Sequence, residues 1–231
     1  VLPRVDHRET SFSPAAFDAT YRFITGKAPT TLTIPTQAPV VLNGKLTGLG
    51  LTPTDPATGN YANNLPLRGA QLAVYATDPA TGERRGAAVH SKTVGADGLW
   101  GPFTAQAGVP YEFVISAPGY ATTHIYRSPF PRSSDLIHLR AERLAEADKA
   151  AASVLTFTRP RGYFDLARDR MSLDGKPLPG VGPGGAGLSS AKLLLKEPGV
   201  RAVAAEFNGE KLTGRIWPAS ENRVVMLELT Y

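Results

Sequence analysis

Apolar residues in this chain come in short runs, each closed within a few positions by Gly, Pro, Asn or Asp. With 23 Gly and 20 Pro in 231 residues, the pattern demands many turns and few long helices. Between residues 40 and 140 the runs are 40–46, 71–76, 89–94, 111–116, 123–126 and 136–139. That density of short strands suggests a small antiparallel sandwich. Within it, Asp97-Gly98 supplies a hairpin turn, after which Trp100 and Phe103 are placed to fill a sheet interface. A second turn-rich set follows from residue 154, with strands expected at 154–158, 193–196, 202–207, 215–217 and 224–229. Its Asn208-Gly209 is the strongest hairpin signal in the chain. An Ala/Glu/Arg/Lys-rich stretch, 141–153, reads as a short helix or polar connector and marks the boundary between the two regions.

The first thirty residues are of another kind. Ser13 can cap a helix, Pro14 can open it and Gly26 can stop it, with Phe17, Tyr21 and Ile24 forming an apolar stripe at i, i+4 and i+7. Phe12 and Phe17 are spaced for a hydrophobic staple. Such a stripe needs a partner surface, either the β-rich remainder or a domain outside this chain. Residues 28–39 carry three prolines and no charge, an extended connector to the β region.

Bulk properties exclude several functions. The chain contains no cysteine, which removes disulfides, thiolate metal sites and a cysteine nucleophile. The formal charge of +5 has no dense basic patch, so nucleic-acid binding is not expected. There is no apolar run long enough for a membrane span and no leader pattern at the first residue, so the chain reads as mature or cut. His90, His124 and His138 lack metal-ligand spacing, and no cofactor is expected. The repeated Asp-Pro-Ala-Thr-Gly, at 55–59 and 78–82, offers one carboxylate per copy and reads as a glycine-closed turn, not a calcium loop. Asp165, Arg168, Asp169 and Arg170 read as a solvated ion-pair network without catalytic role. The Gly/Pro stretch 175–187 lacks the continuation of a phosphate loop and is a surface loop or a substrate-facing flap.

A histidine on a short loop before a terminal amphipathic helix is the arrangement in which α/β-hydrolases carry their catalytic base. The segment with Asp6-His7, Ser13-Pro14, Phe17, Tyr21-Arg22-Phe23 and Gly26-Lys27-Ala28-Pro29 resembles the catalytic-histidine loop and last helix of secreted bacterial and archaeal lipases. That resemblance implies His7 as the catalytic residue, with a serine and an acid supplied by an upstream α/β-hydrolase catalytic segment, a lipid, ester or polyester substrate, and a secreted or periplasmic location. Asp6 is too close in sequence to reach the far side of the His7 ring, which also places the acid upstream. The chain departs from the family in having no Gly-x-Ser-x-Gly elbow; Gly187-Leu188-Ser189-Ser190-Ala191 lacks the second glycine. It is therefore expected to be the C-terminal portion of a lipase or carboxylesterase.

Further along, Gly44-Lys45-Leu46, residues 67–72, Asp97-Gly98-Leu99-Trp100, Tyr111-Glu112-Phe113 and Ala117-Pro118-Gly119-Tyr120 resemble a transthyretin-like, carboxypeptidase-regulatory type of domain. The expected fold is mainly β: one N-terminal amphipathic helix ending an α/β-hydrolase domain (1–33), a transthyretin-like β-sandwich (38–142) and a second β-rich, sandwich- or barrel-like region (153–231). The other function consistent with this organisation is a non-catalytic secreted β-sandwich that binds a polymer, glycan or protein partner. Of the large aromatics near strand ends, Tyr120, Tyr126, Phe130, Tyr163, Phe164 and Trp217, most are expected in the core.

Overall fold

The computed structural model describes residues 2–48, 65–182 and 187–229. The first Asp-Pro-Ala-Thr-Gly copy and residues 183–186 of the Gly/Pro loop lie outside them. A single α-helix, α1 (Pro14–Thr25), is found among the described residues, with the expected ends. Ser13 Oγ accepts from Ala16 N at 3.2 Å, and Gly26 closes the helix at φ 69°, a left-handed conformation that glycine adopts without steric cost.

In chain order the strands are β1 (Val40–Leu42), β2 (Leu46–Gly48), β3 (Leu65–Pro66), β4 (Gln71–Ala76), β5 (His90–Thr93), β6 (Phe103–Ala105), β7 (Tyr111–Ser116), β8 (Thr122–Arg127), β9 (Leu139–Ala141), β10 (Ser153–Thr158), β11 (Met171–Leu173), β12 (Ser190–Leu195), β13 (Ala202–Phe207), β14 (Glu210–Arg215) and β15 (Arg223–Glu228). Seven of them form one mixed sheet, ordered β12, β10, β15, β8, β7, β4, β5. The period-2 alternation of strands gives this sheet two apolar faces. One face presents Val74, Phe113, Ile115, Ile125 and Met226 to a first core completed by Leu42, Leu46, Trp100, Phe103 and Leu139. The other presents Tyr126, Leu155, Phe157, Val225 and Leu227 to a second core completed by Val203, Ala205, Phe207 and Leu212. Full burial of each such side chain contributes about 1.5–3 kcal/mol.

Trp100 occupies the place its turn predicts: it is fully buried, its Nε1 donates to the Ile137 carbonyl at 2.9 Å, and its ring meets Phe113 edge-on at 5.5 Å. The two-residue loop Asn208-Gly209 joins β13 and β14, pairing Phe207 with Glu210, with both loop residues at positive φ as a type I′ turn requires.

The sheet departs from the antiparallel expectation at β15, which pairs parallel to β8 on one side and β10 on the other. Strands of both β regions thus share one sheet, and none of the sheets closes into a barrel. The reason lies in Val224-Val225-Met226-Leu227, a continuous apolar run that is buried on both faces, the signature of a central strand. Residues 142–152, between β9 and β10, are a connector with a single 3₁₀ turn at Glu146–Asp148. In the Gly/Pro stretch, Leu178 and Val181 are tucked into the second core, which anchors the described first half of that loop.

Candidate functional site

The loop carrying His7 is built by local hydrogen bonds and then fastened to the second β region. Asp6 Oδ1 accepts from the backbone N–H groups of Arg8 and Glu9, each at 2.9 Å, and Asp6 N donates to Glu9 Oε2 at 2.9 Å, a reciprocal pattern like a capping box. Asp6 Oδ2 accepts from Tyr163 N at 2.6 Å. Glu9 accepts from Arg168 Nη1 at 2.6 Å and from Arg159 Nη2. Both arginines also donate to the Tyr163 carbonyl, at 2.6 and 2.7 Å. Arg168 is held in turn by Asp169, whose Oδ1 accepts from Asn208 Nδ2 at 3.0 Å. Burial alone would raise the Asp6 carboxyl, but the N–H donors of Tyr163, Glu9 and Arg8, with the Arg159 charge, bring it below its ordinary value.

This cluster corrects the expectation of a solvated network at Arg168 and Asp169. Their side chains are 14% and 1% exposed, because the N-terminal loop lies over them. Asp165 closes a turn, accepting from Ala167 N at 2.9 Å, and Arg170 donates its backbone N–H to Asn208 at 2.9 Å. His7 itself is exposed and its ring makes no hydrogen bond to the described residues. Asp6, with both oxygens engaged elsewhere, does not orient it.

Beyond the loop, α1 keeps its aromatic side uncovered. Phe17 is 51% exposed, Ile24 73% and Phe23 91%, and only Ala16 of the helix is buried. Phe17 pairs with Tyr21, ring centroids 5.7 Å apart, while Phe12 lies under the Arg161 guanidinium. Of the two partner surfaces the stripe could have, the described β region does not supply one.

Close to the His7 loop, a cleft of about 690 Å³ opens over β10, β12 and β15, beside the first core. Its floor is Val154, Thr156, Thr158, Val224, Met226 and Glu228, with Arg8 and Pro160 at one rim and Arg140 and Arg143 at another. Burial pushes Glu228 above its ordinary value, against the pull of Arg127 and Arg140. His138, at the edge, shares a 2.7 Å hydrogen bond with Thr47; desolvation and the nearby Arg140 and Arg127 hold it below its ordinary value.

His90, His124 and His138 go to separate places. His90 bonds the Trp100 carbonyl at 3.0 Å, His138 bonds Thr47, and His124 joins a buried polar cluster that no sequence signal marked. There Glu112 Oε1 accepts from His124 Nδ1 at 2.7 Å and Oε2 from Arg84 Nε at 2.6 Å. Trp217 stacks on His124 with centroids 5.0 Å apart, and Arg84 lies 3.8 Å over the Tyr75 ring. Burial would raise Glu112, yet the bonds from His124 and Arg84 leave it lowered. Burial lowers His124, opposed by Glu112, so its ring is neutral with the proton assigned to Nδ1 and Nε2 unpartnered. The register of β7 and β8 pairs Glu112 with Tyr126, but nothing local shows that this face lies beneath the second layer. Of the six aromatics near strand ends, Tyr120, Tyr126, Phe130 and Phe164 are buried as expected.

Among solved structures, the shaft pilin SpaA from Lactobacillus rhamnosus GG is 11% identical and covers 83% of this chain and 97% of its own, with a TM-score of 0.33. The Bacillus anthracis TIE protein is 15% identical, covering 83% of this chain and 34% of its own at a TM-score of 0.25. A fimbrial protein from Bacteroides ovatus is 12% identical, covering 86% and 51% at a TM-score of 0.22. No curated protein matches the chain. Residues 38–144, the segment that supplies β1 to β9, match the family model of the lipase C-terminal domain, so this segment is similar to the C-terminal part of a lipase.

Proposed function

We infer that the chain is the C-terminal portion of a secreted or periplasmic lipase or carboxylesterase, in which His7 serves as the base of a Ser-His-Asp triad completed by an upstream α/β-hydrolase segment. The observation that carries this reading is the way the His7 loop is held. Asp6 and Glu9 are clamped by Arg159, Arg168 and the Tyr163 amide, while the imidazole between them is left free. A base must be fixed in position and available to a nucleophile, and this arrangement meets both conditions. The uncovered aromatic side of α1 supplies a surface on which a catalytic segment would pack, and the lipase-domain match over 38–144 agrees with that partner.

In the reaction, His7 takes the proton of the upstream serine as it attacks the ester carbonyl and returns it to the departing alcohol. The upstream acid holds the other ring nitrogen. The β layers shape or cover the acyl pocket for a lipid, ester or polyester.

The test begins with the natural protein, captured through this chain and analysed by intact mass for a segment bearing a Gly-x-Ser-x-Gly elbow in the same or an associated polypeptide. In that assembly His7→Ala is expected to reduce hydrolysis of a p-nitrophenyl ester by about 10⁶-fold, with an unchanged thermal unfolding midpoint. Absence of any such segment, or an active His7→Ala protein, leaves the non-catalytic binding module as the function.

A further inference from the structure

The geometry points to the cleft beside the His7 loop as a binding site for a single-chain anionic amphiphile, a long-chain carboxylate, with its head at Arg8 and Arg143 and its tail over Val154, Val224 and Met226. The choice of a lipid tail rests on the lipase reading above; the requirement for an anion stands on the arginines alone.

The cleft exists because the large sheet is wider than the layer that covers it. On the face of the first core, the first-region strands pack over β4, β7 and β8; beyond them Val154 and Val224 pack with Ala121 and Ala219 in a small third cluster, and the cleft lies over the rest of β10, β12 and β15. The register places Thr156 between Met226 and Lys192, and Thr158 between Glu228 and Ser190. These residues therefore share the open face, while Leu155, Phe157, Val225 and Leu227 point into the second core. The volume of about 690 Å³ falls within the roughly 300–1,000 Å³ of small-molecule sites. Val154, Val224 and Met226 line its base with apolar atoms at the margin of packed clusters, each side chain largely buried.

Charge decides what kind of molecule fits. Arg140 is paired with Glu142 at 2.8 Å and Lys192 with Asp148 at 2.6 Å, and the floor carboxylate Glu228 is taken by Arg127. Arg8 and Arg143 have no carboxylate partner among the described residues; Arg8 reaches only the Pro160 carbonyl, at 3.5 Å, and the Tyr163 ring. The acids of the cleft are thus neutralised and two guanidinium groups are not. The Thr158 hydroxyl is buried in the floor without a hydrogen-bond partner, a polar group that an occupant's oxygen or a water it carries would satisfy. Arg8 directly follows His7, so a carboxylate released by ester cleavage at His7 would emerge at this rim.

Laurate, titrated calorimetrically into the 231-residue chain below its micellar concentration, tests the proposal. Dodecyl maltoside below its own micellar concentration serves as the neutral amphiphile, and acetate and inorganic phosphate as the tail-less anions. The expected result is saturable binding of one laurate, about tenfold or more tighter than any comparator. Arg8→Gln and Arg143→Gln should each weaken laurate by about tenfold, while Arg132→Gln, outside the cleft, leaves it unchanged, all three with the parent's urea midpoint. Equal binding of dodecyl maltoside removes the anion, equal binding of acetate or phosphate removes the tail, and no saturable binding or unaffected arginine variants remove the site. None of those failures touches the His7 reading, which the His7→Ala ester assay decides separately.

Discussion

Glu112→Gln should destabilise the fold far more than an isosteric change on a strand usually does. The parent carboxylate is fully buried and accepts from His124 Nδ1 and Arg84 Nε at 2.7 and 2.6 Å. The amide retains one acceptor oxygen and turns an N–H₂ donor toward whichever of the two donors it does not satisfy. Removing one member of a buried ion pair costs about 3–5 kcal/mol. Here the upper end does not apply, because the Arg84 side chain is 33% exposed and can turn toward water. The N–H left unsatisfied on a neutral His124, about 1–3 kcal/mol, is part of that cost and not an addition to it. The expected loss is about 3 kcal/mol, which for a chain of this size lowers the thermal midpoint by about 6–12 °C. Urea unfolding followed by tryptophan fluorescence measures it, since Trp217 stacks directly on His124.

The same cluster fixes the pH dependence. His124 is lowered from 6.5, so its contribution is fully present above that value and is lost as pH falls toward its folded-state value. Glu112 is lowered from 4.5; its contribution is present above 4.5 and lost on further acidification. The parent should therefore weaken in two successive stages as pH drops, and the glutamine variant should keep the first and lose the second. A variant within about 0.5 kcal/mol of the parent, or one with the second stage intact, refutes the assignment of Glu112 as the charged centre of this cluster.

Two further outcomes follow from contacts described above. Glu9→Gln, which weakens the acceptor for Arg159 and Arg168, should release the His7 loop by about 1–2 kcal/mol, seen as faster amide exchange at Arg8, Glu9 and Tyr163 with an unchanged urea midpoint; unchanged exchange would show that the clamp does not depend on it. Gly44→Ala should cost about 3 kcal/mol or more in urea unfolding, because the new Cβ would sit 1.9 Å from the Ile137 carbonyl oxygen; a variant as stable as the parent would mean that this backbone contact yields freely.

What the sequence revealed was local. Ser13, Pro14 and Gly26 fix α1 through hydrogen bonds and conformational preferences spanning a few residues, and Asn208-Gly209 fixes a hairpin in the same way. Even the uncovered side of α1 was visible, as a stripe with no partner in its own segment. The parallel placement of β15 was not legible, because its ladder partners on β8 lie about a hundred positions away, as the Arg127–Glu228 contact illustrates, and an apolar run does not name its neighbours. For the same reason Arg168 and Asp169 read as surface charges: their burial comes from Asp6 and Glu9, more than 150 residues earlier. Glu112 in Tyr111-Glu112-Phe113 reads as an outward-facing residue until a second layer is laid over that face. The candidate base was legible only through its neighbourhood, since a lone histidine carries no signal of its own.

The position of β15 has a consequence for how the chain acquires its structure on the ribosome. Until residues 223–228 have been synthesised, β8 and β10 each present an unpaired edge, and the two cores lack Met226 on one side and Val225 and Leu227 on the other. The second core, which includes Val225 and Leu227, is completed only when this strand is laid between β8 and β10, whereas the first core waits only for Met226. During that interval the exposed ladders are targets for mispairing between neighbouring molecules. Chaperone demand should accordingly be set by how soon this one strand arrives, more than by the stability of either half.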